Sequence, residues 1–267
     1  MLLLSLALLQ GEALAAGEWL TTEGGCKVWN PNPVLNETAV WVGAVDAEGY
    51  ASGKGILKWF ENRNLIFTVE GTMLQGRLHG YGVLTWLGKV RACYTGDFIA
   101  SERTGQGVLT CGDGFCYKGG FVRGRFQGKG SVKYSNGDRY EGDFVSGKCH
   151  GQGVLHWISG SRYEGDFVEG ERTGKGVFIG YNKYCYAGDF VKGLFQGKGS
   201  IKYPAGNRYE GDFFEGKFHG KGIYLWDSGE RYEGDFAAGE RTGYGVFIKS
   251  NGERYEGKFD DGKPVKQ

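Results

Sequence analysis

Proline is nearly missing from this chain, with 4 among 267 residues, beside 51 glycines. Collagen needs glycine at every third position and abundant proline, so that architecture is excluded. Histidine is scarce at 4, and the six cysteines include no Cys-x-x-Cys pair; the common zinc and thioredoxin-like redox signatures are therefore absent. Charge of one sign is lacking as well. The 32 Lys plus Arg face 31 Asp plus Glu, a net charge of +1, so no large field exists to steer DNA, RNA or an acidic membrane. The apolar run at residues 2–9 falls short of the ~20 residues that span a bilayer, and no other stretch is apolar enough to cross one.

What is present is glycine together with rings: 7 Trp, 16 Tyr and 17 Phe. A disordered glycine linker lacks aromatics. A helical chain would lose about 1 kcal/mol per glycine relative to alanine. Glycine with aromatics predicts short strands joined by many tight turns.

Residues 1–16 read MLLLSLALLQGEALAA. The apolar run followed by Ala13-Leu14-Ala15 predicts a secretory leader cut after Ala15 or nearby, and hence an exported, periplasmic or secreted protein. No Lys or Arg precedes the run, an element that such leaders usually carry. Without a working leader the chain would be cytoplasmic. Residues 17–40 form a separate N-terminal segment.

Beyond them the chain is periodic. Tyr94, Tyr117, Tyr140, Tyr163, Tyr186, Tyr209, Tyr232 and Tyr255 stand 23 residues apart, each opening the pattern Tyr-x-Gly-x-Phe-x-x-Gly, with Ser101 in place of the last glycine in the first. Degenerate copies begin at Trp41 and Val69. The array thus runs over 41–267, irregular in 41–93, regular in 94–254, and closing on a half repeat at 255–262. A second period of 69 residues overlies the first: Glu-Arg-Thr-Gly recurs at 102–105, 171–174 and 240–243, and Trp157 is followed by Trp226. Self-similarity at this step marks a solenoid or array.

Each repeat holds two short alternating runs separated by glycine turns, a β-hairpin. At Ser135-Asn136-Gly137 a two-residue turn would put Tyr140 on the face of Lys133. A three-residue turn with Gly137 in the left-handed region instead pairs Tyr134 with Asp138. Tyr140, Phe144, Val132 and Tyr134 then share one face, and Glu141, Asp143, Lys133 and Arg139 the other. A one-residue slip flips every side chain, so the clean split selects the three-residue turn. The expected fold is all-β: an elongated, single-layer antiparallel meander, roughly 90 Å long at ~4.8 Å per strand. Its aromatic rings are expected to lie over the glycine of Tyr-x-Gly.

Tyr-Glu-Gly-Asp-Phe-x-x-Gly-x-x-x-Gly-x-Gly at a 23-residue step resembles the membrane occupation and recognition nexus (MORN) repeat over about 41–262. The opening GCKVWNPNP at 25–33 resembles exported bacterial members of that family. The resemblance implies a rod used for protein contact and scaffolding, with phospholipid binding as a further property proposed for such repeats.

Chemistry is hard to place on this pattern. His79, His150 and His219 occupy equivalent positions but should lie ~29 Å apart, too far to share a metal; they read as polar turn residues. Arg103, Arg172 and Arg241 read as solvated turn charges, or else as three equivalent anchors. Gly-Lys-Gly at 128–130 and 197–199 lacks the spacing of a phosphate loop. No catalytic set stands apart from the repeat, and neither a metal nor a cofactor is implied. Cys111 and Cys116 would face each other across a two-residue turn but lie diagonally across a three-residue one. Asn36-Glu37-Thr38 is a glycosylation acceptor sequence for a eukaryotic secretory route.

A non-catalytic scaffold is the expectation, binding a protein partner or a second copy through the aromatic face. The candidate anchors are Tyr140, Phe144, Trp157, Tyr163, Phe167, Tyr209, Phe213, Trp226, Tyr232 and Phe236, because rings dominate binding hot spots. The alternative is association with a membrane or cell envelope through lipid or glycan contacts.

Overall fold

The computed structural model describes residues 17–89 and 91–265; the leader expected at 1–16 lies outside them. Contacts divide the chain into two parts, residues 1–148 and 149–267. Every regular element among the described residues is a strand. The first part holds β1 (Glu18–Thr21), β2 (Lys27–Asn30), β3 (Glu37–Val45), β4 (Ala51–Glu61), β5 (Asn64–Leu74) and β6 (Arg77–Trp86). It continues through β7 (Ala92–Ile99), β8 (Glu102–Cys111), β9 (Cys116–Val122), β10 (Arg125–Lys133) and β11 (Arg139–Val145).

The second part opens with β12 (Lys148–His156), followed by β13 (Arg162–Val168), β14 (Glu171–Ile179), β15 (Cys185–Val191) and β16 (Leu194–Lys202). Then come β17 (Arg208–Phe214), β18 (Lys217–Leu225), β19 (Arg231–Ala237), β20 (Glu240–Ile248), β21 (Arg254–Asp260) and β22 (Lys263–Pro264). Within each part the strands from β3 onward pair antiparallel with their sequence neighbours. The all-β meander of tandem hairpins is the fold.

The register is the one that the polar and apolar split selects. The Tyr134 N–H donates to the Asp138 carbonyl at 2.9 Å, and Gly137 sits at φ +93°. Val132 pairs with Tyr140 and Gly128 with Phe144. Val132, Tyr140 and Phe144 are buried, while Lys133, Arg139 and Glu141 are exposed. The turn inside each repeat is tighter. Ser146 and Gly147, at φ +49° and +88°, make a two-residue turn with both residues left-handed, as the twist of a hairpin requires.

Glycine serves a different purpose under the tyrosines. Gly211 pairs with Gly222, and the Tyr209 ring lies across both. A Cβ on Gly222 would come within 2.5 Å of that ring, and one on Gly211 within 2.6 Å of its hydroxyl. The hydroxyl then donates to the Asp212 carbonyl at 2.8 Å. Tyr94, Tyr140, Tyr163, Tyr186 and Tyr232 make the same bond three residues ahead. The degenerate repeat keeps the device with other atoms: Trp41 lies over Gly43 and Gly55, and its indole N–H donates to the Ala44 carbonyl at 2.7 Å.

Just past that latch the second strand carries a bulge. Gly211 pairs with Gly222 but Asp212 pairs with His219, so Gly220 and Lys221 are extra. Gly220 turns to φ +54°, and the Lys221 N–H donates to the Asp212 carboxylate at 3.1 Å. Asp97, Asp166, Asp189 and Asp235 cap the same bulge. In three of these repeats the other oxygen pairs with the lysine of the preceding repeat: Lys175 with Asp189 at 2.5 Å, Lys198 with Asp212 at 2.7 Å and Lys221 with Asp235 at 2.5 Å; that of Asp166 accepts from Gln152 instead.

The N-terminal strands β1 and β2 form a separate hairpin laid on the first repeats. Lys27 bridges to Tyr50, and the Trp29 N–H donates to the Gly76 carbonyl at 2.9 Å. Trp19, Trp29 and Tyr50 cluster there, with the Arg77 guanidinium 3.8 Å from the Trp29 ring centre. Strand β3 begins at Glu37, so the last residues of the 17–40 segment already pair in the array.

Candidate functional site

The aromatic face has two tiers. In the inner tier each tyrosine meets the phenylalanine four residues ahead edge-on, as Tyr163 meets Phe167 at 5.2 Å, and Tyr94, Tyr117, Tyr163, Tyr186, Tyr209 and Tyr232 also meet that of the next repeat, as Tyr163 meets Phe190 at 4.9 Å. Alternating edges and faces is the arrangement ring quadrupoles prefer. Apart from Tyr255, which is half-buried, each of these rings is at most 4 % exposed, and this herringbone is the core.

The ninth residue after the tyrosine start completes each repeat, and it comes in two main kinds. In three repeats it is a phenylalanine stacked flat on the tyrosine: Phe126 on Tyr117 at 3.7 Å, Phe195 on Tyr186 and Phe218 on Tyr209 at 3.8 Å. In three others it is Arg103, Arg172 or Arg241. These are not solvated turn charges. Arg103 is 6 % exposed. Arg172 lies 5.2 Å from Trp157, 5.5 Å from Tyr163, 5.6 Å from Phe178 and 5.8 Å from Phe190. Arg241 and Arg103 repeat the cage with Trp226 and Trp86. Each guanidinium also donates to the turn glycine of the next repeat, Arg172 to the Gly193 carbonyl at 2.9 Å and Arg103 to that of Gly124 at 3.2 Å. The rings supply a cation–π surface that compensates the desolvated charge.

Burial pushes the Tyr94 phenol up to about 12, with Arg103 pulling it back and Asp97 adding to the rise. Tyr163 is likewise pushed up to about 12 by burial, with Asp166 adding and Arg172 opposing. Burial pushes Arg103 down to about 10. These are the values of packed groups.

The outer tier lies toward the three-residue turns. In the second part it runs through Trp157, Phe178, Tyr184, Tyr203, Tyr224, Trp226 and Phe247, all half-buried. Trp157 meets Phe178 at 5.7 Å, Phe178 meets Tyr184 at 5.6 Å, and Tyr184 meets Tyr203 at 6.4 Å. Tyr224 meets Trp226 at 4.5 Å, and Trp226 meets Phe247 at 5.8 Å. An open recess of about 180 Å³ beside Trp226 is lined by Phe218, Tyr224, Phe236, Gly239, Glu240 and Arg241.

The expected anchors fall on both tiers. Tyr140, Phe144, Tyr163, Phe167, Tyr209, Phe213, Tyr232 and Phe236 are buried in the herringbone, while Trp157 and Trp226 belong to the outer tier. Sequence reasoning passed over Phe178, Tyr184, Tyr203, Tyr224 and Phe247. Their signal is positional: they stand opposite the repeat tyrosine, as Tyr224 pairs with Tyr209, or at the mouth of the three-residue turn.

The MORN repeat family model matches residues 70–86, 94–115, 117–139, 140–162, 163–183, 186–208, 209–231 and 232–254. The chain belongs to the MORN repeat family. Its eight matched repeats coincide with the hairpins that carry the latch, apart from 70–86, where Val69 has no ring and Leu78 fills the space over Gly71. No curated protein matches the chain. One solved structure it resembles is the TCP domain of SAS-4 (dCPAP) of Drosophila melanogaster in complex with a proline-rich motif of Ana2. That match has 12 % identity and a TM-score of 0.36, over 57 % of this chain and 83 % of that one. Another is the G-box domain of the microcephaly protein CPAP, at 9 % identity and a TM-score of 0.28, over 92 % and 100 %. Likenesses this weak carry no argument about this MORN protein.

The other constellations resolve into structure. His219 lies in β18 just before the bulge, opposite Asp212, and not in a turn. Among the described residues no group of three or more His, Cys, Asp or Glu could hold a metal ion. Cys111 pairs across its turn with Phe115, and Cys116 with Thr110; both thiols are free, as are the other four cysteines.

Proposed function

We propose that this MORN protein is a non-catalytic adaptor that binds a protein partner, or a second copy of itself, through the outer aromatic tier. The observation that carries the reading is the run of half-buried rings from Trp157 to Phe247. The inner rings already satisfy one another. The outer rings keep apolar faces in solvent, in a patch of the kind that marks interaction sites. Tryptophan and tyrosine are also the residues that carry most binding energy at interfaces. The buried anchors take part by holding that tier in place.

Contact with lipid through clustered cations gains no support from the opposite face. Lys129, Lys175, Lys198 and Lys221 each pair with an aspartate, whereas electrostatic lipid binding uses unpaired basic clusters. Export through the 1–16 leader belongs to the same proposal, and cleavage of that leader in a secretion-competent host checks it.

Replacing Trp157 and Trp226 together by alanine is the functional test, read by crosslinking and mass spectrometry in the native compartment. We expect one crosslinked partner to be lost in a double variant that still folds, its unfolding midpoint lowered because Arg172 and Arg241 lose their covering rings. Sedimentation of the purified protein distinguishes a second copy from a different partner. An unchanged crosslink pattern in a folded double variant would remove the tier from the binding site.

A further inference from the structure

We infer that the occupant of the outer tier is an uncharged polyproline-II segment with proline at every third residue, lying along the sheet across successive strands. This deepens the adaptor reading and rests on it.

Pitch is the first argument. Equivalent rings such as Phe178, Tyr224 and Phe247 sit on successive or alternate hairpins of the second part. One hairpin advances by two strand spacings, ~9.6 Å. Three residues of polyproline II advance ~9.3 Å. A helix returns to the same face after a heptad, ~10.5 Å, and drifts ~3 Å out of step over three hairpins. A strand repeats its face every ~6.8 Å, well short of the ~9.6 Å hairpin step.

Hydrogen bonding and charge supply the second. The indole N–H groups of Trp157 and Trp226 have no acceptor among the described residues, unlike that of Trp41. The hydroxyls of Tyr184 and Tyr203 are placed similarly, so the tier offers donors. A helix or a paired strand has already used its carbonyls, whereas polyproline II has no internal hydrogen bonds and presents all of them. The recess beside Trp226 holds one cation and one anion, Arg241 and Glu240, and the guanidinium is bonded to the Gly262 carbonyl. Balanced charge complements a neutral ligand. The recess volume, about 180 Å³, admits a proline ring against the indole.

The test measures fluorescence anisotropy of three labelled peptides with the full chain. One carries four Pro-Ala-Ala triplets, one is helical with leucine at heptad spacing, and one alternates Thr and Val. Saturable binding of the Pro-Ala-Ala peptide alone is the expected result. Trp157→Ala with Trp226→Ala should weaken it by about tenfold or more. Trp157→Phe with Trp226→Phe keeps the rings and the packing while removing the N–H donors, and should cost about threefold to tenfold. Equal or tighter binding of either other peptide, lost in the alanine variant, would leave the tier as a protein-binding face and overturn only the polyproline occupant. No binding of the Pro-Ala-Ala peptide, or binding indifferent to both variants, overturns it as well. An unchanged crosslink pattern in the alanine variant would in addition sink the adaptor reading.

Discussion

Repeats that carry phenylalanine at the ninth position and repeats that carry arginine there solve one packing problem in two ways. In the first kind a neutral ring closes over the tyrosine at 3.7–3.8 Å, and the position that holds tryptophan in the other kind varies: Cys111, Gly180 or Tyr203. In the second kind the cap is charged, and a tryptophan always covers it: Trp86 over Arg103, Trp157 over Arg172, Trp226 over Arg241. A guanidinium can be buried here only with a ring above, a ring below and a carbonyl to bond. Tryptophan and arginine therefore act as one element shared between adjacent repeats. The 69-residue period is a pattern of such joints.

Importing the charge without its cover breaks the comparison most severely. Phe126 is 7 % exposed, with Cys111 where the tryptophan would stand. Phe126→Arg should lower unfolding free energy by about 3 kcal/mol, from lost stacking and a poorly compensated charge. Adding Cys111→Trp should restore about 1 kcal/mol. A double-mutant cycle in denaturant measures that coupling. A coupling near zero would mean that tryptophan above arginine is inherited ornament.

Much of this was legible beforehand, and the exceptions have physical causes. The 23-residue step gave the hairpins, and the polar and apolar split chose the three-residue turn, because the two-residue turn would have put Lys133 on the face of Tyr140. Depth was not legible. Tyr-x-Gly-x-Phe shows which face a ring takes, but only pairing Gly211 with Gly222 makes the depression that sinks Tyr209 below the surface. Eight of the expected anchors therefore lie in the core, and the rings that reach solvent belong to the more variable second strand, as Phe178, Tyr224 and Phe247 do, or to the turn after it, as Trp157, Tyr184, Tyr203 and Trp226 do. Arg172 looked solvated because its partner Trp157 stands in the previous repeat. The two-residue turns also hid their geometry, since Glu169 and Lys192 take φ +53° and +49° where asparagine or glycine is the usual signal.

The opposite exchange should be mild. Arg172→Phe turns a charged cap into the neutral kind and should shift stability by no more than about 1 kcal/mol. Its sharper readout is titration of tyrosinate absorbance. Arg172 pulls Tyr163 down against the rise caused by burial, so Phe at 172 should move that phenol above about 12. A buried tyrosine whose folded value exceeds its unfolded ~10 contributes stability that is whole below pH ~10. That contribution declines as the unfolded chain ionises, and is lost as pH rises through the folded value. For Tyr94 and Tyr163 the window is pH 10 to about 12. Arg103, pushed down to about 10, works in the opposite sense: above that pH the unfolded chain holds its proton more tightly, so folding gains as pH rises. Alkaline unfolding followed by circular dichroism should accordingly begin near pH 10. A flat profile to pH 12 would contradict the burial of these phenols.

The smallest effect belongs to the charged face, where lysine–aspartate pairs occur in both kinds of repeat. Lys221 pairs with Asp235 at 2.5 Å, but its side chain is 71 % exposed. Lys221→Met should therefore cost no more than about 0.5 kcal/mol. The carboxylate it leaves behind keeps a second partner, the Tyr244 N–H at 2.9 Å. Lys221 is the larger cause holding Asp235 below the ordinary carboxylate value, and the Tyr244 bond is the next. A carboxylate lowered in this way contributes stability above its unfolded ~3.9, lost as pH falls through the folded value. Lys221→Met should therefore shrink the acid-side loss without abolishing it, and Asp235→Asn should abolish what remains by weakening the bulge cap. If Lys221→Met costs as much as Phe126→Arg, the ion pairs and not the ring stacks would be holding neighbouring repeats together.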